Sequence, residues 1–191
     1  MARTLPKFEC LFCRECCYFS EEYEMPTVLP WERRLLEELA QQHGVTVEFK
    51  PLQVYVDADG RCVVTLYRWI IRGYCPFLDR ASARCRIHSS KPLSCRMYPL
   101  VLEVPTGRLM LSSKCEWVAR MGRELAEKLS NDPTLIQRVF PREFDAAIEA
   151  FTEPSAIYEY VTSKGMKPLN PNGLEGCREV LDVDEYIARF G

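Results

Sequence analysis

The chain has 191 residues, 47% of them hydrophobic, with ten cysteines and a formal net charge of −2. A chain of this size can form a hydrophobic core without disulfide staples, unlike a small secreted scaffold. The near-neutral charge argues against a generic nucleic-acid binder, and no apolar stretch approaches the roughly 20 residues of a membrane-spanning helix. The first residues lack the apolar core of a secretory signal, so we expect a cytoplasmic protein in which dense cysteine favours metal or redox chemistry over disulfides.

The first predicted elements, after an irregular N-terminal segment, are a helix and a β-hairpin. Residues 31–42 carry an apolar helical face, and Gly44 suits the end of that helix. Residues 45–56 read as strand, and residues 57–60 form a good hairpin turn. Residues 62–67 then return as the second strand.

The second half of the chain changes from strand to helix. Residues 100–104 are predicted to pair with residues 108–111 in a second hairpin. Predicted helices follow from about Trp117 to Asn131, through Phe144–Phe151, through Ala156–Ser163 and, after a loop at Pro168–Gly176, near Val183–Arg189. These patterns together predict an α+β fold with small antiparallel hairpins and a helical C-terminal part.

Four thiols lie within eight residues near the N-terminus, in the run Cys10-x-x-Cys13-x-x-Cys16-Cys17. Cysteines three residues apart can turn their sulfur atoms toward one centre, which is the local geometry that a thiolate-bound metal or an iron–sulfur cluster needs. In an extended backbone the adjacent Cys16 and Cys17 would point to opposite sides. They would then face two centres, or one would be a ligand and the other a packed thiol.

Three later phrases also contain cysteine. They are Cys75-Pro76-Phe77-Leu78, Cys85-Arg86-Ile87-His88 and Lys91-Pro92-Leu93-Ser94-Cys95-Arg96-Met97-Tyr98-Pro99, and Cys115 follows the second hairpin. Eight basic residues and a single acid lie between Arg61 and Arg96. Nearby cations would favour thiolates and lower the electrostatic cost of a negatively charged centre. The alternatives for this basic span are an ordinary solvated surface and a contact with an anionic substrate or RNA.

Together, these phrases and their order resemble the pattern of the CxxCxxCC family, a domain described as zinc- or iron-chelating. The similarity covers roughly residues 10–115 and leaves the helical C-terminal part unexplained. It implies eight metal-binding cysteines: Cys10, Cys13, Cys16, Cys17, Cys75, Cys85, Cys95 and Cys115. A flagellin lysine N-methylase carries a similar cysteine domain that is linked to a [4Fe–4S] centre. That likeness favours an iron–sulfur cluster, but it does not transfer the methylase activity.

Two further residues are candidates for binding the cofactor. Arg96 could donate hydrogen bonds to cluster sulfur or bind a substrate carboxylate, with a structural salt bridge as the alternative. His88 could replace a thiolate as a ligand, or it could be a hydrogen-bonded or exposed histidine. Cys62 and Cys177 fall outside the family pattern. We expect Cys62 to pack in the core of its strand and Cys177 to be a free thiol.

We therefore predict a cysteine-rich metal-binding or iron–sulfur-binding domain over residues 1–116, in which irregular loops surround the site. A helical extension over residues 117–191 is predicted to pack on it as one compact unit. The leading hypothesis is a [4Fe–4S] protein with a redox or cluster-assisted protein-modification role, which requires a protein partner or substrate. No membrane is expected and nucleic acid is not favoured.

The alternatives are a structural zinc-binding interaction module without catalysis and a disulfide-stabilised domain without metal. The cysteine spacing does not distinguish zinc from iron, or one centre from two.

Overall fold

The structure is a computed structural model that describes residues 5–103 and 106–191. Its strands in that part of the chain are β1 (Tyr18–Phe19), β2 (Thr27–Val28), β3 (Glu48–Val56), β4 (Arg61–Ile70), β5 (Gly73–Tyr74), β6 (Leu78–Asp79), β7 (Arg84–Cys85), β8 (Leu100–Glu103), β9 (Arg108–Leu111), β10 (Lys167–Leu169) and β11 (Glu179–Asp182). Its helices are α1 (Pro30–His43), α2 (Leu93–Arg96), α3 (Glu116–Met121), α4 (Arg123–Asn131), α5 (Pro133–Val139), α6 (Pro141–Ser163) and α7 (Val183–Phe190). The predicted α+β fold class is confirmed. In the described residues, no helix combines the length and the apolar character needed to cross a membrane.

The chain divides into two compact units, and each is built from two separate segments. The cysteine unit contains the described residues 5–19 and 73–151, and the sheet unit contains residues 20–72 and 152–191. The predicted domain boundary at residue 116 falls inside the cysteine unit. As a division of the sequence into domains, 1–116 and 117–191 stays a prediction.

Strand β4 organises the sheet unit. It pairs antiparallel with β3 and β2 and parallel with β11, while β10 extends the sheet beyond β3. The predicted first hairpin is confirmed by the antiparallel pairing of β3 with β4. The Asp57 carboxylate closes its turn by accepting the N–H groups of Asp59 and Arg61 at 2.9 and 2.8 Å. The predicted first helix is also confirmed as α1, which starts one residue earlier and ends one residue later than expected.

The two faces of β4 contact different cores, since successive side chains of a strand point to opposite sides. Val63 packs with Tyr55 and Leu181 on one face. On the other face, Cys62 is buried and forms a disulfide bond with Cys177. The burial of Cys62 is as predicted, but the prediction that Cys177 is a free thiol is wrong. The two cysteines are 115 positions apart, so no local pattern indicates that they meet.

A thiol count tests this disulfide. Eight cysteines of the structure are free and two are bonded to each other. Without reductant in denaturant, we therefore expect eight thiols per metal-free chain to react with a chromogenic thiol reagent, and ten after reduction. Ten reactive thiols before reduction would contradict the bond. Fewer than eight would indicate further disulfides, as in the metal-free alternative.

The bond also bears on the predicted cytoplasmic location, because disulfides are rare in reducing compartments. That location stays a prediction.

The core of the cysteine unit fixes where the N-terminal cysteine run begins. Phe8 packs against Trp117 and Phe140 with ring centroids 5.3 and 5.2 Å apart, and its N–H donates to the carbonyl of Val139 at 2.8 Å. The predicted second hairpin is confirmed as β8 and β9, which lie over the same core. Val104, the last residue of the predicted strand, and Pro105, the first of the predicted turn, lie outside the described residues.

Several helical predictions needed correction. The helices expected at Phe144–Phe151 and Ala156–Ser163 are one helix, α6, with Pro154 inside it. Proline removes one backbone hydrogen bond, and good helical sequence on both sides lets the helix continue. Helix α5 and strands β10 and β11 were not predicted, and the expected loop Pro168–Gly176 begins inside β10. Strands of three or four residues carry little pattern and depend on pairing with β3 and β4.

Candidate metal centre

Short backbone pairings in the cysteine unit bring the N-terminal cysteine run to the second cysteine region. Strand β1 follows Cys17 directly and pairs antiparallel with β5, which precedes Cys75. The N–H of Cys75 donates to the carbonyl of Cys17 at 2.7 Å. The first two cysteine phrases, more than fifty residues apart in sequence, are therefore neighbours.

Cys85 is held beside Cys75 by a tight hairpin. Strands β6 and β7 pair Leu78 with Cys85, and the N–H of Leu78 donates to the carbonyl of Cys75 at 3.0 Å. Phe77 is fully buried beneath this hairpin, and the N–H of Arg86 donates to its carbonyl at 2.9 Å. The proline-containing phrase Cys75–Leu78 and the phrase that starts at Cys85 thus fold as one structural element.

The last two family cysteines are placed by helix ends. Cys95 lies in α2, where its N–H donates to the carbonyl of Pro92 at 2.9 Å. Cys115 immediately precedes α3, is 5% exposed and belongs to the hydrophobic core of the cysteine unit. Its N–H donates to the carbonyl of Ser112 at 3.2 Å, and the N–H of Ser112 donates to the carbonyl of Pro99 at 2.9 Å. This chain of contacts connects Cys115 to the end of the Cys95 phrase.

Four thiols influence one another electrostatically, and we call them the Cys16 group: Cys16, Cys75, Cys85 and Cys95. Burial raises the pKa of Cys75 to about 12, and the charges of Cys85 and Cys16 add to the increase. Burial also raises the pKa of Cys95, with further contributions from Cys75, Cys16 and Cys85. The pKa of Cys85 is likewise raised by burial and by Cys16. Four thiolates from four segments would therefore repel one another unless a cation or a metal centre compensated their charge.

The charges of the N-terminal run also affect Cys115. Burial raises the pKa of Cys115, and the charges of Cys13 and Cys16 raise it further. Cys10 is exposed. Cys16 thus lies near both sets of thiols, while Cys10 lies at the periphery of the cysteines that the structure brings together.

The geometry of Cys16 and Cys17 differs from expectation. The prediction assumed an extended backbone, but residues 15–17 form a turn of 3-10 helix. The two Sγ atoms are 3.8 Å apart on the same side, and the hydrogen bond between Cys16 and Cys17 is the main cause that raises the pKa of Cys16. Two thiolates of one tetrahedral zinc ion, with Zn–S bonds of about 2.3 Å, would also be about 3.8 Å apart. The prediction that adjacent cysteines face opposite sides is therefore wrong.

The N-terminal loop contains two non-glycine residues with positive φ. Phe12 and Arg14 take φ values of 53° and 72°, and Arg14 directly precedes the 3-10 turn that begins at Glu15. A left-handed residue followed by a right-handed one turns successive N–H groups toward one side, which is the concave arrangement found at many iron–sulfur and anion sites. Non-glycine residues adopt this conformation rarely, so the loop is unusual for its composition.

The residues of the predicted basic span are divided between the two units. Arg61 and Arg72 lie in the sheet unit, where Arg61 binds Asp57 and Asp59 and Arg72 binds Glu48. Lys91 is the cation that reaches the thiols, since its charge lowers the pKa of Cys16, Cys85 and Cys95 against the effect of burial. Lys91 is one of the eight basic residues that the sequence predicted to favour thiolates. Its place three residues before the serine–cysteine pair was the available signal.

Arg96 and His88 have different surroundings. Arg96 donates to the Glu149 carboxylate at 3.1 Å, which is the salt bridge that the sequence analysis held as the alternative. His88 is exposed, and the charge of Lys91 is the main cause that lowers its pKa. A role for either residue at a metal centre stays a prediction.

Within residues 5–103 and 106–191, no three side chains of His, Cys, Asp or Glu are already arranged to hold a metal ion. The donor set nevertheless fits a thiolate-bound centre, because eight free thiols belong to one compact unit. Three of them, Cys16, Cys75 and Cys85, are close enough to Cys95 for their charges to raise its pKa. Soft sulfur donors select zinc, copper(I) or iron–sulfur clusters over hard cations such as magnesium.

Comparison with protein families agrees with a metal-binding role for these cysteines. The family model "CxxCxxCC: Putative zinc- or iron-chelating domain" covers residues 9–121, which is more than half of the chain. This chain belongs to the CxxCxxCC family. The matched range includes all eight cysteines of the predicted site. It supports cysteine-based metal binding and is compatible with zinc and with iron. Comparisons with curated proteins and with solved structures found no match.

Proposed function

We propose that the cysteine unit binds an iron–sulfur cluster, [4Fe–4S], and that the Cys16 group supplies its four thiolates. The observation that carries this proposal is that Cys16, Cys75, Cys85 and Cys95 come from four segments, yet the charge of Cys16 raises the pKa of each of the other three. The left-handed Arg14 before the 3-10 turn at Glu15 supports it, because such a step directs successive N–H groups toward one side, as at many iron–sulfur sites. A bound cluster supplies one-electron transfer, and Cys13 and Cys115 remain as thiols for a second centre.

The surrounding residues suit a negatively charged centre. Lys91 offsets part of the charge of three thiolates of the group. Phe77 and Ile87 are buried at 0% and 4% exposure next to Cys75 and Cys85 in sequence, and they exclude water from the hairpin that carries both thiols. Low solvent access and nearby cations are the means by which a protein tunes a cluster's reduction potential.

We further propose that the partner is a protein, which the centre modifies or exchanges electrons with. Next to the cysteine run, Phe12, Tyr18 and Tyr74 are each about two-fifths exposed (41%, 41% and 40%). Arg84 stacks over Phe12 at 4.8 Å and Arg80 over Tyr74 at 5.0 Å. Exposed tyrosine and arginine are typical of the few residues that dominate protein interfaces. Saturable binding of single-stranded oligothymidine that depends on Arg80 and Arg84 would instead assign this surface to nucleic acid.

Anaerobic purification tests the cofactor directly. We expect a brown protein with broad visible absorption and with iron and acid-labile sulfide in roughly equal amounts, about four of each per chain for one [4Fe–4S] cluster. Exposure to air should bleach the colour. Stoichiometric zinc without iron or sulfide would overturn the proposal. The modification role rests on analogy with a similar cysteine domain, and it is tested only after the cofactor is known.

One observation favours a second candidate, the structural zinc module. The 3.8 Å between the Sγ atoms of Cys16 and Cys17 suits two ligands of the same ion. In a cluster each thiolate binds a different iron, which holds the sulfur atoms farther apart. The zinc candidate therefore predicts a colourless protein that is insensitive to oxygen and unfolds in its cysteine unit when a chelator removes the metal.

A further inference from the structure

Two hydroxyl groups beside the cysteines are buried without a partner. Tyr98 Oη and Ser94 Oγ are inaccessible to water, yet neither makes a hydrogen bond. A buried hydroxyl without a partner costs free energy, so native proteins pair nearly all of them. Both residues lie in the phrase that contains Cys95, and both need an acceptor that the protein atoms around them do not supply.

The position of Tyr98 indicates where its acceptor lies. The next residue, Pro99, is joined through Ser112 to Cys115 by two successive backbone hydrogen bonds of 2.9 and 3.2 Å. The Tyr98 ring packs against the core that contains Cys115. Burial is the main cause that raises the pKa of Tyr98, and the charges of Cys115, Cys16 and Cys13 raise it further. The Ser112 hydroxyl lies close enough to lower that pKa but does not have the geometry of a hydrogen bond to it.

Ser94 is next to a member of the Cys16 group in sequence. It directly precedes Cys95 in α2, a helix of only four residues. Its hydroxyl does not return to the helix backbone, which is the usual partner of a helical serine. One unpaired hydroxyl therefore belongs to the residue before Cys95, and the other to a tyrosine that packs against the core containing Cys115.

We propose that Tyr98 and Ser94 donate hydrogen bonds to the sulfur atoms of the thiolate-bound centre, and so stabilise its negative charge. This inference rests on the proposed function, since the acceptors are the metal-bound sulfurs. Hydrogen bonds to sulfur raise the reduction potential of an iron–sulfur centre and strengthen metal binding. Both residues are positioning residues, because they act on the centre through its ligands.

The test compares Tyr98→Phe and Ser94→Ala with a matched control, Tyr160→Phe. Tyr160 also has a buried hydroxyl without a partner, but it lies in the sheet unit. Each change removes one hydroxyl and little else. We expect the first two variants to bind as much metal as the unmodified protein but to release it to a chelator about tenfold faster. If the metal is iron, the potential should fall by about 59 mV, the equivalent of a tenfold change for one electron. Tyr160→Phe should change neither quantity.

Two outcomes would overturn the inference. In the first, Tyr98→Phe and Ser94→Ala release metal at the unmodified rate. In the second, Tyr98→Phe loses thermal stability without a change in release rate, which would assign its hydroxyl to Ser112 instead. If Tyr98→Phe does not fold, Ser94→Ala decides alone. An unmodified protein that binds no metal would overturn the proposed function and this inference together, and it is recognised by its metal content before any variant is made.

Discussion

The double variant Cys75→Ser, Cys95→Ser is expected to lose almost all bound metal, with a metal content at least about tenfold below that of the unmodified protein. Both thiols belong to the Cys16 group. The charges of Cys16 and Cys85 raise the pKa of each of them, and the charge of Cys75 also raises the pKa of Cys95. Serine keeps the shape of cysteine, but its hydroxyl is a poor ligand for a soft metal site. Metal analysis of the purified protein, normalised to chain concentration, is the measurement.

The matched control for this variant is Cys62→Ala, Cys177→Ala. It also removes two cysteines, but these form the disulfide of the sheet unit. Its metal content should equal that of the unmodified protein. Full metal content in the Cys75, Cys95 variant, or an equal loss in the control, would contradict the assignment of the Cys16 group.

A single change at Cys10 separates one centre from two. Cys10 is exposed and lies outside the Cys16 group. With one centre held by that group, Cys10→Ser keeps all of the metal. With a second centre that uses the remaining cysteines of the family pattern, about half of the metal is lost. The two outcomes can be read from the same metal analysis.

The second large effect is expected at Asp182 in the sheet unit. This carboxylate is 5% exposed and accepts hydrogen bonds from Arg33 at 2.9 Å, Arg34 at 2.7 Å and the Tyr67 hydroxyl at 2.5 Å. Removing it leaves two partly buried guanidinium groups and a phenol without their common acceptor. Asp182→Ala should therefore lower the free energy of unfolding by about 3 kcal/mol, measured by urea denaturation at neutral pH.

An ion pair on the same strand provides the control. Glu179 receives a hydrogen bond from Arg189 at 2.8 Å, and both side chains are substantially exposed (41% and 54%). Glu179→Ala should change the free energy of unfolding by less than about 1 kcal/mol, because water screens such pairs. Similar losses in both variants would show that the Asp182 network does not stabilise the unit in the proposed way.

Elements with strong local signals were predictable. Pro30 marks the start of α1 and Gly44 follows its end, so both observed ends of the helix lie within one residue of the predicted ends. The turn at Asp57–Gly60 identified the hairpin of β3 and β4, because the Asp57 carboxylate closes it using its own neighbours. The cysteine phrases were recognisable for the same reason, since their spacing is a property of short segments.

Features that depend on distant residues were missed. Strand β11 owes its structure to parallel pairing with β4, more than one hundred residues earlier. The backbone turn that places the Cys16 and Cys17 sulfurs on one side also differed from the extended form assumed from adjacency. The unpaired hydroxyls of Ser94 and Tyr98 had no signal at all, since a missing partner can be recognised only when all neighbours are known.

By itself, the sequence determined the α+β class, the first helix, both hairpins and the CxxCxxCC membership, because each depends on residues a few positions apart. The tertiary structure alone decided that Cys62 bonds to Cys177, that the compact units are discontinuous, and that the sulfurs of Cys16 and Cys17 lie on the same side. Bringing distant segments together costs chain entropy, which packing and pairing must offset. Which distant partners meet is therefore settled by the whole set of packed contacts rather than by any local pattern.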